Sequence, residues 1–195
     1  MNRSVRIVLL VVTILGSLGG SMVHRAGAQT DEDDSFNTYG AEPHSLPDNV
    51  VEMVVESVVD GDTLHLTYPD DDWYYRVRII GVDSPEKDGP YTEAECYGTE
   101  SSVELAKLLP KGTIVYVEKD VTDEDRNGRW LRHVWLPYAE NGVNVVDKAY
   151  LVSEILVLGG WANAKQYKPD DKYDELLIDA EEEARDEDAG FWGAC

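Results

Sequence analysis

The chain has 195 residues, 43% of them hydrophobic, and carries 39 acidic against 17 basic residues for a formal net charge of −22. That is one domain plus extensions with enough apolar material for a core. Charge of this sign repels nucleic acid at long range and, taken alone, speaks against a DNA or RNA substrate, although a small site can carry the opposite local sign on an otherwise solvated acidic surface.

The first 28 residues hold Arg3 and Arg6, then the apolar stretch IVLLVVTILGSLGG, then a small-residue site ending at Ala28. This is the pattern of a secretory signal cleaved before Gln29. The alternative is an uncleaved anchor, because the apolar run to Val23 is nearly long enough to span a membrane. Either way the bulk of the chain is expected outside the cell or in its envelope. Loss of the three signal arginines leaves the mature chain at −25. Residues 29–50 are acidic, poor in aliphatic side chains and broken by Pro43 and Pro47, so they read as a flexible linker. The folded domain is expected over 51–195.

VEMVVESVV and DTLHLTY read as strands joined at Asp60-Gly61, where glycine would supply a positive φ. DWYYRVRIIGV is a third strand, with Trp73, Tyr75, Val77 and Ile79 on one face and Arg76 and Arg78 on the other. GTESSVELAKLL (98–109) is a helix, with Val103, Leu105, Ala106 and Leu109 as its apolar stripe, Thr99 or Ser101 as cap and Pro110 as stop. GTIVYVEKDV and RWLRHVWLPY are two more strands, linked by the polar TDEDRNG. The stretch VVDKAYLVSEILVLGGWA contains a helix ending at Gly159-Gly160. The last helix lies in KYDELLIDAEEEARDEDAGFW, with Leu176, Leu177, Ala180 and Ala184 in its stripe. Five short strands with helices after the third and at the end predict an α+β domain. Its natural form is a five-stranded OB-fold β-barrel with about three helices.

Asp62 opens the second strand, and Asp83 and Glu86 lie just past the third. In a meander these ends meet, so three carboxylates converge and repel unless a cation sits among them. Hard oxygen ligands on loops suit Ca²⁺. Arg78 and Arg129 add guanidinium groups, which fork around phosphate oxygens. A cation, two arginines and a spare carboxylate are the parts needed to hydrolyse a phosphodiester. Asp60 reads as an ordinary turn residue beside them, and Arg76 as a surface or substrate-groove charge. Arg132 and His133 read as structural, and Trp192 as a core plug. DEDRNG (123–128) opens like an EF-hand loop, but its twelfth position is Val134 rather than glutamate. Cys96 and Cys195, an even pair in an exported chain, are expected to form a disulfide. Two cysteines with four histidines lacking ligand spacing exclude a structural zinc site.

VVDGDTLHL (58–66), RVRIIGVDSPE (76–86), Gly128-Arg129 and AEEEARDEDAGFW (180–192) occur in the order and spacing of the staphylococcal-nuclease-like (thermonuclease) family, which the chain resembles over 51–195. The resemblance implies a five-stranded OB barrel with three helices that cleaves DNA and RNA using Ca²⁺ and leaves 3′-phosphate ends. It implies Asp62 and Asp83 as metal carboxylates, with Ser84 supplying a main-chain carbonyl. Glu86 takes the position of the glutamate that orients or deprotonates water, and Arg78 and Arg129 those of the two phosphate-binding arginines. Tyr167 matches one of two substrate-flanking tyrosines, while Lys165 stands at the other. All five side-chain positions are intact, which favours an active enzyme over the alternative of a non-catalytic OB-type nucleic-acid-binding or cell-surface module. The acidic loop after Glu86 departs from the lysine-rich loop of classical members. The expected state is a monomer with no stable protein partner and no membrane association after signal cleavage.

Overall fold

Alternation of β-branched and polar side chains builds the first three long strands. β1 (His44–Ser45) precedes β2 (Val50–Asp60), which turns at Gly61-Asp62 into β3 (Thr63–Thr67), and β4 (Tyr74–Ile79) pairs with β3 in a register that sets Arg78 opposite Thr63. The computed structural model describes residues 38–89 and 93–195; the expected signal and the first part of the expected linker lie outside the described residues. β5 (Val82–Asp83), α1 (Gly98–Leu108), β6 (Ile114–Glu118), β7 (Trp130–Glu140) and β8 (Val143–Leu151) follow. The chain then runs through α2 (Val152–Leu158), β9 (Asn163–Ala164), α3 (Asp174–Asp186) and α4 (Phe191–Ala194).

The domain is α+β with a mixed sheet. β7 lies parallel to β4 and antiparallel to both β6 and β8, while β6 also pairs with β2. The pairings therefore run β7–β4–β3–β2–β6 and return to β7, so each of these strands has a strand on both sides. Met53, Val55, Leu64, Leu66, Val77, Ile79, Val115, Val117 and Val134 fill the space the circuit encloses, as the inward members of period-two strands. All seven residues of α2 are buried against this core, and α3 covers α2 with Leu177, Ala180 and Ala184. Among the described residues no helix is long and apolar enough to cross a membrane.

Several expectations need correction. Residues 38–50, expected within a flexible acidic linker, are held on the domain: Ala41 is buried, Tyr39 donates to Glu104 at 2.7 Å, and β1 pairs with β8. The His44 Nε2 to Glu154 contact of 2.6 Å adds an anchor that composition could not reveal. The helix expected in VVDKAYLVSEILVLGGWA is α2, ending at Gly159, while VVDKAYL before it belongs to β8, paired with β7 across Asn141-Gly142, whose φ values of 52° and 75° suit a tight hairpin. α1 is capped by Tyr97 at φ 73° rather than by Thr99 or Ser101, and it buries Ser101, Leu105 and Leu108 while Val103 faces solvent. Trp73 leaves the core face expected for it and is 70% exposed. Phe191, not Trp192, is the buried aromatic of the terminus; Trp192 is half-buried under the Arg185 guanidinium, 4.3 Å away.

A buried polar cluster joins the strand circuit to α3. Glu118, only 1% exposed, accepts from Trp135 Nε1 at 3.3 Å and from the Tyr173 hydroxyl at 2.8 Å, and its other oxygen meets the Lys172 ammonium. Burial of that hydroxyl pushes the Tyr173 phenol up to about 12, with its hydrogen bond to Glu118 adding to the shift. The neighbouring His133, equally buried, is held below its ordinary pKa chiefly by desolvation.

The Cys96–Cys195 disulfide is formed, with Cα atoms 6.2 Å apart across a sequence separation of 99. A loop that long gives a cross-link worth about 4–5 kcal/mol through restriction of the unfolded chain. Reduction should therefore shift the denaturant midpoint markedly downward without abolishing the sheet, and the native oxidised protein should show no reactive thiol. Two titratable thiols, or an unchanged midpoint on reduction, would contradict this.

Candidate active site

The Asp-Gly-Asp-Thr turn explains its own glycine, though not through φ. Gly61 does not adopt a positive φ; a Cβ there would fall 2.6 Å from Ser84 Cβ, so only glycine lets the turn approach the segment after β5. That close approach brings Asp62 beside the main chain of Ser84. Asp62 Oδ1 accepts from the Thr63 hydroxyl at 2.9 Å, and Oδ2 accepts the Ser84 N–H at 3.2 Å.

Arg78 reaches the same carboxylate from the neighbouring strand. Its Nη2 lies 2.9 Å from Asp62 Oδ2 and 3.1 Å from Asp83 Oδ1, and its Nη1 donates to the Ile79 carbonyl at 2.7 Å. Arg129 approaches from the start of β7: its Nη1 donates to Thr63 Oγ1 at 3.3 Å, while Nε donates to Asp125 Oδ2 at 2.7 Å. The short ladder of β5 with β9 carries the next residues in, because Asp83 pairs with Asn163 and the Lys165 N–H donates to the Gly81 carbonyl. Lys165 Nζ is 3.4 Å from Asp83 Oδ2, and the Tyr167 ring centroid lies 5.9 Å from Arg78 Cζ. Glu86 is exposed on the pocket wall. Its main chain is held at both ends by Glu95, whose N–H donates to the Glu86 carbonyl at 2.8 Å and whose carboxylate accepts the Glu86 N–H at 3.0 Å.

These groups surround one pocket of about 240 Å³. Of the residues singled out in the sequence, Asp62, Arg78, Asp83, Glu86, Arg129 and Tyr167 line it directly. Ser84 and Lys165 join through their contacts to Asp62 and Asp83. Cys96 and Cys195 stand apart as the disulfide, with Cys96 next in sequence to Glu95.

Four further residues belong to the site. Asp60, expected as an ordinary turn residue, lines the pocket and accepts the Asp62 N–H at 3.3 Å. Thr63 links Asp62 to Arg129 through one hydroxyl. Asp125 presents Arg129, binding both its backbone and its guanidinium; its place four residues before Arg129 in DEDRNG was the available signal. Asp170 is buried and accepts the N–H groups of Val121 and Thr122 at 3.0 and 2.6 Å, and no local pattern announces it.

The electrostatics follow from burial. Asp62 is 7% exposed, and desolvation raises its pKa from 3.8 to about 6, with the nearby Asp60 charge adding to the rise and Arg78 opposing it. Burial likewise pushes the Tyr167 phenol up, against the attraction of Arg78. Among the described residues no three Asp, Glu, His or Cys side chains close on a single point by themselves.

Arg78 on β4 and Arg129 at the start of β7, buried and half-buried among carboxylates at one end of the strand circuit, form a guanidinium pair suited to fork around a phosphate group. The family model of staphylococcal nuclease homologues matches residues 76–194, and the chain belongs to that family. It is 36% identical over 139 residues to a thermonuclease of Staphylococcus intermedius, covering 71% of this chain and 74% of that protein. Identity is 33% over 135 residues to a thermonuclease of Staphylococcus hyicus, covering 69% and 72%. With endonuclease YncB of Bacillus subtilis it is 29% over 174 residues, covering 84% and 75%. The protein is a nuclease, a hydrolase of phosphodiester bonds.

The raised Asp62 pKa has a signed consequence. A carboxyl whose folded pKa lies above its unfolded one destabilises the fold when ionised; the cost is absent below the ordinary 3.8 and complete above about 6. Asp62→Asn mimics the neutral form and leaves Arg78 paired with Asp83. In metal-free buffer at pH 7 it should raise unfolding stability by at most about 3 kcal/mol, a gain that shrinks to nothing as pH falls to about 4. Denaturant titrations of both proteins across that range test the sign directly.

Proposed function

We propose that the protein is a secreted, calcium-dependent nuclease that cuts DNA and RNA and leaves 3′-phosphate ends. Its catalytic domain, residues 51–195 together with the segment 38–50 that packs on it, would be a five-stranded OB-type barrel, with residues 1–28 as the export signal. It would act as a monomer without a stable protein partner, free of the membrane once the signal is removed. The Cys96–Cys195 bond supports an oxidising destination.

The observation that carries this reading is the charge of the pocket. Asp60, Asp62, Asp83, Glu86, Asp125 and Asp170 face it with only Arg78 and Arg129 as guanidinium groups. A phosphodiester does not enter such a field unless a cation offsets it. Asp62, an anion so poorly solvated that its pKa rises to about 6, is the group most relieved by one. Asp62, Asp83 and the Ser84 carbonyl would hold the ion, and hard oxygen donors on loops suit Ca²⁺. Bound there, it supplies Lewis-acid charge to a phosphate oxygen.

The chain's own groups do the rest. Arg78 and Arg129 complement the additional negative charge of a five-coordinate phosphorus, and Asp125 holds the second guanidinium in place before substrate arrives. Glu86, on the exposed wall, accepts the proton of the attacking water at a carboxylate oxygen. The water oxygen bonds to phosphorus as the bond to the 5′-oxygen breaks. Lys165 and Tyr167 flank the nucleotide.

Digestion of denatured DNA and of RNA with Ca²⁺, beside the same reactions in excess chelator, is the primary test. Arg78→Lys and Arg129→Lys keep the charge but lose the fork, so each should lower kcat roughly a hundredfold or more with the fold intact. Glu86→Gln should retain Ca²⁺ binding by calorimetry while losing turnover. Undiminished cutting in chelator would overturn the metal dependence, and near-native turnover of Arg78→Lys would overturn its role.

A further inference from the structure

Period-two alternation puts Tyr74, Arg76 and Arg78 on one face of β4, opposite the buried Val77 and Ile79. Arg78 enters the pocket, so this face is a line leading out of it. Tyr74 lies four residues from Arg78, about 13 Å along a strand. Across the ladder, His65 is the partner of Arg76, and its ring sits 4.2 Å from that of Tyr74. Trp73 continues the line: its ring is nearly parallel to that of Tyr74, at 10° with centroids 6.2 Å apart. Trp73 is 70% exposed and Tyr74 50%, which is unusual for large aromatic side chains with a core close at hand. The backbone places them there deliberately, because Asp71 braces the loop by accepting the Trp73 N–H at 3.0 Å and the Thr67 hydroxyl at its carbonyl.

Exposed stacked aromatic rings beside a cation are how proteins hold single-stranded nucleic acid: bases stack on the rings and the backbone follows the charge. Arg76 is exposed and makes no ion pair among the described residues. Glu56, Asp71 and Asp72 lie around Tyr74, so on this face Arg76 is the group that can take a phosphate and the rings are left to uncharged base faces. Resting on the reading that the pocket cuts nucleic acid, we propose that the outward face of β4 from Arg76 to Trp73 is a track for the unpaired strand flanking the cut. Arg76 takes a phosphate there, and Tyr74 and Trp73 stack the adjoining bases.

The test is binding of a fluorescently labelled oligothymidylate to the full protein in chelator, where cleavage is off, followed by kinetics in Ca²⁺. Trp73→Ala with Tyr74→Ala should weaken oligothymidylate binding tenfold or more, while Trp73→Phe retains most of it. Arg76→Ala should lower the slope of log affinity against log salt by about 0.7, one phosphate contact on a single strand. In Ca²⁺ the double aromatic variant should show a raised KM and an unchanged kcat on long single strands, and little change on a dinucleotide too short to leave the pocket. Unchanged oligothymidylate affinity in that variant overturns the track, as does an equal loss on the dinucleotide. A wild-type protein that binds through these residues yet cuts nothing in Ca²⁺ would overturn the nuclease mechanism and leave the track standing.

Discussion

One buried guanidinium organises the site. Arg78 sits between Asp62 and Asp83, almost without solvent, and contacts carboxylates from two segments brought together by the strand circuit. Removing Arg78 would leave Asp62 charged, buried and unpaired, which costs far more than a surface pair is worth. The β3–β4 register is therefore held by more than its ladder. Thr63 faces Arg78, the Ile79 N–H donates to the Asp62 carbonyl at 2.9 Å, and a slip of one residue would drive the guanidinium into the hydrocarbon core.

Around that centre the residues fall into two sets with different duties. Thr63, Asp125 and Glu95 hold groups that would meet substrate, without themselves offering a free charge to it: Thr63 bridges Asp62 to Arg129, Asp125 grips Arg129, and Glu95 clamps the backbone of Glu86. The disulfide begins at Cys96, next to Glu95, and ends past α4, so the loop that carries Glu86 is tied to the C-terminal end of the chain. The Glu118 cluster secures the start of α3, and Asp170 secures the stretch just before it, against the loop at 121–122. Loops bearing reactive groups are reliable only when a rigid frame fixes their ends, and here the frame is the strand circuit with its two fastened helices.

The acidity of the chain takes on a particular meaning in this setting. A net charge of −22 argues against a polyanionic substrate when it is spread evenly, since at moderate salt repulsion reaches about 10 Å. Inside the pocket Asp62, Asp83, Asp125 and Asp170 are held close to guanidinium groups or backbone donors, and the excess of negative charge is what the proposed cation would offset. Outside it, a line of exposed arginine and aromatic side chains runs along β4.

Much of this was legible in the sequence. Period-two patterns marked the strands on either side of Asp-Gly-Asp-Thr, the spacing of Asp62, Arg78, Asp83 and Glu86 marked the pocket, and an even cysteine pair behind an expected export signal marked the disulfide. Those signals are local: each depends on residues within one element or one turn, or on a count. The parallel pairing of β4 with β7, the anchoring of 38–50 by β1, the exposure of Trp73 and the recruitment of Asp170 by the amides of residues 121–122 had no such signal. Each is decided by a contact between segments far apart in the chain, where hydrophobic periodicity says which face is buried but not against what. Residue chemistry at the pocket was determined by the sequence alone; which carboxylates are fastened, which are desolvated and which aromatic rings face water were decided only when the strand circuit closed.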